Sequence, residues 1–227
     1  MTFTTGRGSA RALTATLALL LLLSTPALAA GRNKGHQAGA FDFYVLALSW
    51  SPTFCLTAGE AARREQCARG SRRAFVVHGL WPQFERGYPD YCATREPERV
   101  PTALARPLLD IAPSLGLIGH MWRKHGSCSG LSQRDYLAAV REAYERITIP
   151  DALDGVDDPE HLSAEAVEAA FIEANPGLTR DAIATRCVGR RLQEVRICLT
   201  HDFGFRSCRE IDAEGCRAAR LAVPAPG

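Results

Sequence analysis

Lysine is nearly missing from this 227-residue sequence: Lys34 and Lys124 stand alone among 27 basic residues, and arginine supplies the rest. No Cys-x-x-Cys pair occurs, nor a His-Glu-x-x-His zinc-protease pattern, nor a Gly-x-Ser-x-Gly elbow. The first two absences count against zinc and the third against a serine nucleophile. The first thirty residues lack acid altogether and hold an apolar run of only about Leu17 to Leu23. That run is too short to span a bilayer, and no other stretch comes close. With Arg7 and Arg11 before the run and Ala27-Leu28-Ala29 after it, residues 1–29 read as a secretory signal peptide, which makes the chain secreted or periplasmic. The remaining chain is then no integral membrane protein. At 46% hydrophobic and 23% charged it is no disordered chain either. Net charge is also scarce. The formal +2 disappears with Arg7 and Arg11, so no general basic field is left to hold nucleic acid. An anionic substrate would need a local cluster.

Cysteine, by contrast, is plentiful. Cys55, Cys67, Cys92, Cys128, Cys187, Cys198, Cys208 and Cys216 all follow the signal, and their number is even. In an oxidising compartment this predicts four disulfides, with the pairing left open. Residues 30–40 read as a frayed segment, 41–222 as one domain and 223–227 as a loose tail. Phe41–Trp50 predicts a buried strand ended by Ser51-Pro52, and residues 55–72 a polar, Arg-rich loop. Ala74–Leu80 predicts a second strand, ended by Gly79 and Pro82. Helical patterns follow over 102–111, over 117–125 up to a stop at Gly126, over Ser132–Ile147 behind a capping box, over Ser163–Ala174, and briefly over 179–185. Arg186–Gly189 and Leu192–Thr200 alternate as a hairpin. Strands at both ends with helices between predict an α+β single domain.

Six histidines are candidates for chemistry. His36 and His161 fall in polar segments that read as solvated, and His201 starts a loop. His78 ends an apolar strand beside Gly79, where it is either a satisfied core histidine or a group held rigidly at a cleft. His120, Lys124 and His125 crowd the end of one helix. At about 100° per residue, His120 and Lys124 lie within about 40° of each other and His125 about 100° further round. The bland reading is a charged helix end on the surface. Against it stands a lysine in a chain that otherwise prefers arginine, as if a compact point charge were needed there. His120 and His125 make a poor chelating pair, so no metal and no cofactor is expected. Two histidines in opposite protonation states with a lysine form an acid–base set without a covalent intermediate. The reaction that suits such a set is phosphodiester cleavage by the substrate's own 2′-hydroxyl, which RNA has and DNA lacks.

The segments FVVHGLWPQ and HMWRKHGSC, with YVLALSWSPTFC before them, resemble the ribonuclease T2 family, bacterial secreted or periplasmic members above all. The resemblance runs from about Asp42 to Cys216. It implies a twisted antiparallel β-sheet packed with helices and stabilised by the disulfides Cys55–Cys67, Cys92–Cys128, Cys187–Cys216 and Cys198–Cys208. It implies an endoribonuclease acting on single-stranded RNA through 2′,3′-cyclic phosphates. His125 would be the base and His78 the acid, His120 would hold the phosphate, and Lys124 would stabilise the phosphorane. Trp81 is placed to stack on a base, Tyr88 or Tyr91 to supply a second ring, and Gln83 a hydrogen bond; Trp50 and Trp122 are expected in the core. The expected form is a monomer with no membrane contact once the signal is removed.

One residue departs from the family's pattern. Met121 stands where these enzymes usually have glutamate. Losing one stabilising group predicts a rate reduced about tenfold to a thousandfold, which Met121→Glu would recover. A catalytically weakened homologue that binds RNA or a protein outside the cell is therefore the rival reading, and a zinc hydrolase a third.

Overall fold

The computed structural model describes residues 1–4, 35–58, 66–68, 70–153 and 160–226. The chain falls into two units, Met1–Gly31 and Arg32–Gly227, and the second carries every element below. Most of the expected signal peptide, the middle of the Arg-rich loop and the side chain of His161 lie outside the described residues.

The sheet is built around β1, Phe43–Trp50, which pairs antiparallel with β2, Phe75–Gln83, on one side and with β5, Arg191–Leu199, on the other. This central position explains a strand without alternation. Tyr44, Leu46, Leu48 and Trp50 enter the larger core, while Phe43, Val45 and Ala47 enter a smaller one on the opposite face. β4, Ile183–Val188, pairs antiparallel with β5 across a turn at Gly189, whose φ of +58° lies in the left-handed region. Two short strands complete the sheet: β3, Glu160–Leu162, pairs antiparallel with β6, Leu221–Val223, and β6 touches β5 in parallel at Arg191.

Six helices accompany the sheet among the described residues. They are α1 (Ser51–Thr57), α2 (Thr102–Ala105), α3 (Leu115–Lys124), α4 (Gln133–Glu145), α5 (Ala164–Ala174) and α6 (Arg209–Ala213). Serine caps open the three longest: Ser114, Ser132 and Ser163 each accept a backbone N–H three residues on. α3 and α4 bury Ile118, Met121, Trp122, Tyr136, Leu137 and Val140 in the larger core. Tyr136 fixes α4 to the sheet by donating to the Leu80 carbonyl at 2.7 Å. The result is the expected α+β fold, and the four disulfides are those that the resemblance implies. No helix among the described residues is long and apolar enough to cross a membrane.

Several local expectations need correction. β2 runs through Gly79 and Pro82 instead of ending there. As an edge strand it has no partner for the N–H that proline lacks. Ser51-Pro52 ends β1 but also opens α1, because a proline in the first turn is preset for the helix. Over 179–185 there is one 3₁₀ turn, Arg180–Ala182; from Ile183 the chain is strand, drawn into the sheet by β5. The end of the 30–40 segment is tied down, since Gly39 donates its N–H to the Cys128 carbonyl at 2.9 Å. The tail is held as well: Val223 is buried in β6, and Trp50 Nε1 donates to the Pro224 carbonyl at 3.0 Å.

Candidate active site

His78 owes its position to a β-bulge. Ala47 of β1 pairs with Gly79, yet Leu48 pairs with Val77, so His78 is the extra residue without an opposite number. The bulge resets the alternation of β2. Val77 and Leu80, three apart, both enter the larger core, while His78 and Trp81 face the other way with their rings 5.3 Å apart. Gly79 is required by close approach, because a Cβ there would lie 2.1 Å from Trp81 Nε1.

α3 delivers the other cationic groups. His120 and Lys124 lie on its last turns, and His125 is its C-cap, with φ −116° and ψ −51°. The helix stops without a left-handed glycine. Gly126 serves close packing instead, since a Cβ there would lie 2.5 Å from Trp122 and 2.6 Å from Tyr136. The chain then turns through a 3₁₀ turn, Gly126–Cys128, and Cys128 bonds to Cys92 in the loop that follows β2. Tyr91 beside it donates its N–H to the Lys124 carbonyl at 2.9 Å. Strand end and helix end, distant in sequence, are thus held together.

His78, His120, Lys124, His125, Trp81, Gln83 and Tyr88 all line one cavity of about 230 Å³. Of the expected rings, Tyr88 is there and half-exposed, and Lys124 Nζ lies 5.8 Å from its centroid. Tyr91 is not among the lining residues. Trp81, expected to stack on a base, also lines the cavity. The indole is only 9% exposed, it stacks on His125 at 5.0 Å, and the Arg196 guanidinium lies 5.0 Å from the ring. His201 packs against Phe41 and Tyr44, and His36 against Phe84; neither lines the cavity. Trp50 and Trp122 are core residues, as expected.

Met121 does not reach the cavity. It is fully buried in the larger core, about 100° round the helix from His120. The carboxylate bonded to the site comes from Glu194 of β5, which no motif in the sequence marked. Its Oε2 lies 2.5 Å from His78 Nδ1, and its Oε1 accepts from Arg196 Nε at 2.8 Å. Arg196, Glu210, Ile211 and Glu214 also line the cavity and were missed. For Glu194 and Arg196 the one signal was alternation along β5, which puts both on one face.

The two imidazoles that touch Trp81 sit in opposite electrostatic surroundings. His125 is buried, and desolvation pushes its pKa well below the ordinary histidine value of 6.5; Lys124, His78, His120 and Arg196 push the same way. Its Nδ1 has no hydrogen-bond partner among the described residues. His78 instead meets a carboxylate. Burial works to raise the pKa of Glu194, but the bond and charge of His78, followed by those of Arg196, outweigh it and hold the carboxyl below its usual value. His120 is lowered too, by desolvation first and then by the charges of Lys124 and Arg123.

The family model that matches residues 41–208 is that of the ribonuclease T2 family. A ribonuclease of Aeromonas hydrophila is 36% identical over 197 residues, covering 81% of this chain and 83% of its own. Ribonuclease I of Escherichia coli K12 is 27% identical over 211 residues, covering 74% and 79%. In three dimensions, an RNase-related protein from Calystegia sepium matches with a TM-score of 0.66 over 85% of this chain and all of its own; at 20% identity, that likeness concerns the fold.

Proposed function

The chain belongs to the ribonuclease T2 family and is a ribonuclease; on that premise we propose that it is a secreted or periplasmic endoribonuclease, monomeric, that cuts single-stranded RNA by metal-independent transphosphorylation. The observation that carries this reading is the contrast between His125 and His78 across one indole. A desolvated imidazole among cations is a neutral acceptor at neutral pH, as a base must be. An imidazole with a buried carboxylate at Nδ1 has a partner for its cationic form, as an acid must have.

His125 takes the proton of the 2′-hydroxyl as its oxygen attacks phosphorus. The P–O5′ bond breaks, and His78 gives its proton to the leaving 5′-oxygen. The products are a 2′,3′-cyclic phosphate and a 5′-hydroxyl end, and slower hydrolysis of the former gives a 3′-phosphate. Lys124 is the point charge for the equatorial phosphoryl oxygens. His120, with its lowered pKa, offers the phosphate an N–H donor more than a permanent charge. Trp81 and Tyr88 are the rings for a base and Gln83 a hydrogen-bonding partner. DNA has no 2′-hydroxyl and is inert in this scheme. The signal-like residues 1–29 and four disulfides support an oxidising compartment outside the cytosol.

The test is incubation with RNA in the presence of a chelator. Cleavage that leaves 2′,3′-cyclic phosphate ends is the expected result. Binding without cleavage would favour the weakened homologue, and loss of activity to the chelator would favour a metal enzyme.

A further inference from the structure

We propose that Glu194 is the positioning residue for His78, fixing the imidazole so that its Nε2 is the nitrogen that serves the leaving oxygen; the inference rests on the acid role proposed above. The geometry is specific. Glu194 sits on β5, opposite Ser49 of β1, and His78 sits on β2 beyond β1. The carboxylate therefore reaches across an intervening strand. It can do so because β1 presents only Ala47 and Ser49 on that stretch of the face. The bulge on β2 supplies the other half, turning His78 towards it.

Burial gives the contact its weight. The Glu194 side chain is 6% exposed, so its charge needs compensation. Both oxygens are used, Oε2 on His78 Nδ1 and Oε1 on Arg196 Nε. Arg196 holds the carboxylate from behind and is itself tied to Glu214 of the segment after α6 at 3.5 Å. An acceptor at Nδ1 keeps a proton there in both states of the ring. Nε2 is then the nitrogen that gives a proton in the cleavage step and takes one back from water when the cyclic phosphate is hydrolysed.

The charged groups around His78 are Glu194 and Arg196 from β5, His120 and Lys124 from α3, His125 at its cap, and Glu210 and Glu214 at α6. Only Glu194 is bonded to the imidazole among the described residues. Removing its charge while the others stay is therefore a local change.

Glu194→Gln keeps the size and loses the charge. Glu194→Asp keeps the charge and loses the reach. Both are assayed on a dinucleoside monophosphate and on a nucleoside 3′-(p-nitrophenyl phosphate), whose phenolate leaves without a proton. The expected result is a kcat about ten- to a hundredfold lower on the dinucleotide, a part of what an acid supplies, with KM within about twofold. Turnover of the activated ester stays within about twofold, which also reports a folded site. For Glu194→Gln the basic limb of the kcat profile moves to lower pH. Equal losses on both substrates in both variants, or an unmoved limb with unchanged kcat, would overturn the inference. His78→Ala separates the two levels of the argument. If it cleaves the dinucleotide at the wild-type rate, the acid role falls and this inference with it. If it is impaired while both Glu194 variants are not, this inference alone falls.

Discussion

The indole of Trp81 stacks on the imidazole of His125 with ring centroids 5.0 Å apart and planes 19° from parallel, while its edge-on contact to His78 measures 5.3 Å. One buried aromatic thus touches both groups proposed to transfer protons, and its place depends on Gly79. A methyl at Gly79 would lie 2.1 Å from Nε1 of the indole and must displace it. Gly79→Ala is expected to lower kcat about tenfold to a hundredfold, as misplacing reacting groups by an ångström does. Steady-state kinetics on a dinucleotide measure it. An unchanged kcat would show that the indole does not hold the pair.

Met121→Glu now carries an expectation opposite to the one from sequence. Position 121 is fully buried in the larger, apolar core, where a carboxylate would be taken out of water. An uncompensated buried charge costs on the order of 3–5 kcal/mol. Urea denaturation of the variant should show a loss of that size, and its kcat should not rise. A stable variant with a faster rate would restore the view that the missing glutamate slows this chain.

The pH dependence follows from His125. As the proposed base His125 must be unprotonated, and its pKa is pushed well below 6.5 by desolvation and four neighbouring cationic or cationisable groups. Falling pH therefore removes activity only once it passes that lowered value. The acidic limb of kcat/KM is expected clearly below the ordinary histidine range, with apparent values that belong to the coupled set. A limb at or above 6.5 would contradict the neutral, buried base.

Much of this site was legible in the sequence because its groups cluster locally. His120, Lys124 and His125 share one helix end, and FVVHGLWPQ places His78, Trp81 and Gln83 within six residues. What stayed hidden was set by pairing between distant strands. The bulge at His78 exists only as a register shift against β1, and Glu194 reaches the imidazole only because β5 lies beside β1. No local pattern encodes either. The burial of Met121 was hidden for a related reason: His120 before it lines the cavity, but helical rotation turns Met121 into the core. The short strands β3 and β6, three residues each, are too brief for periodicity to mark, and they pair across the whole C-terminal third of the chain.

The central claim is that His125 receives a proton and His78 donates one. Comparing His125→Ala and His78→Ala on two substrates, a dinucleoside monophosphate and a nucleoside 3′-(p-nitrophenyl phosphate), tests it most directly. The account predicts that His125→Ala loses about a hundredfold or more on both, and that His78→Ala loses as much on the dinucleotide but little on the ester whose leaving group needs no proton. The reverse pattern, or equal losses for both variants on both substrates, would contradict it.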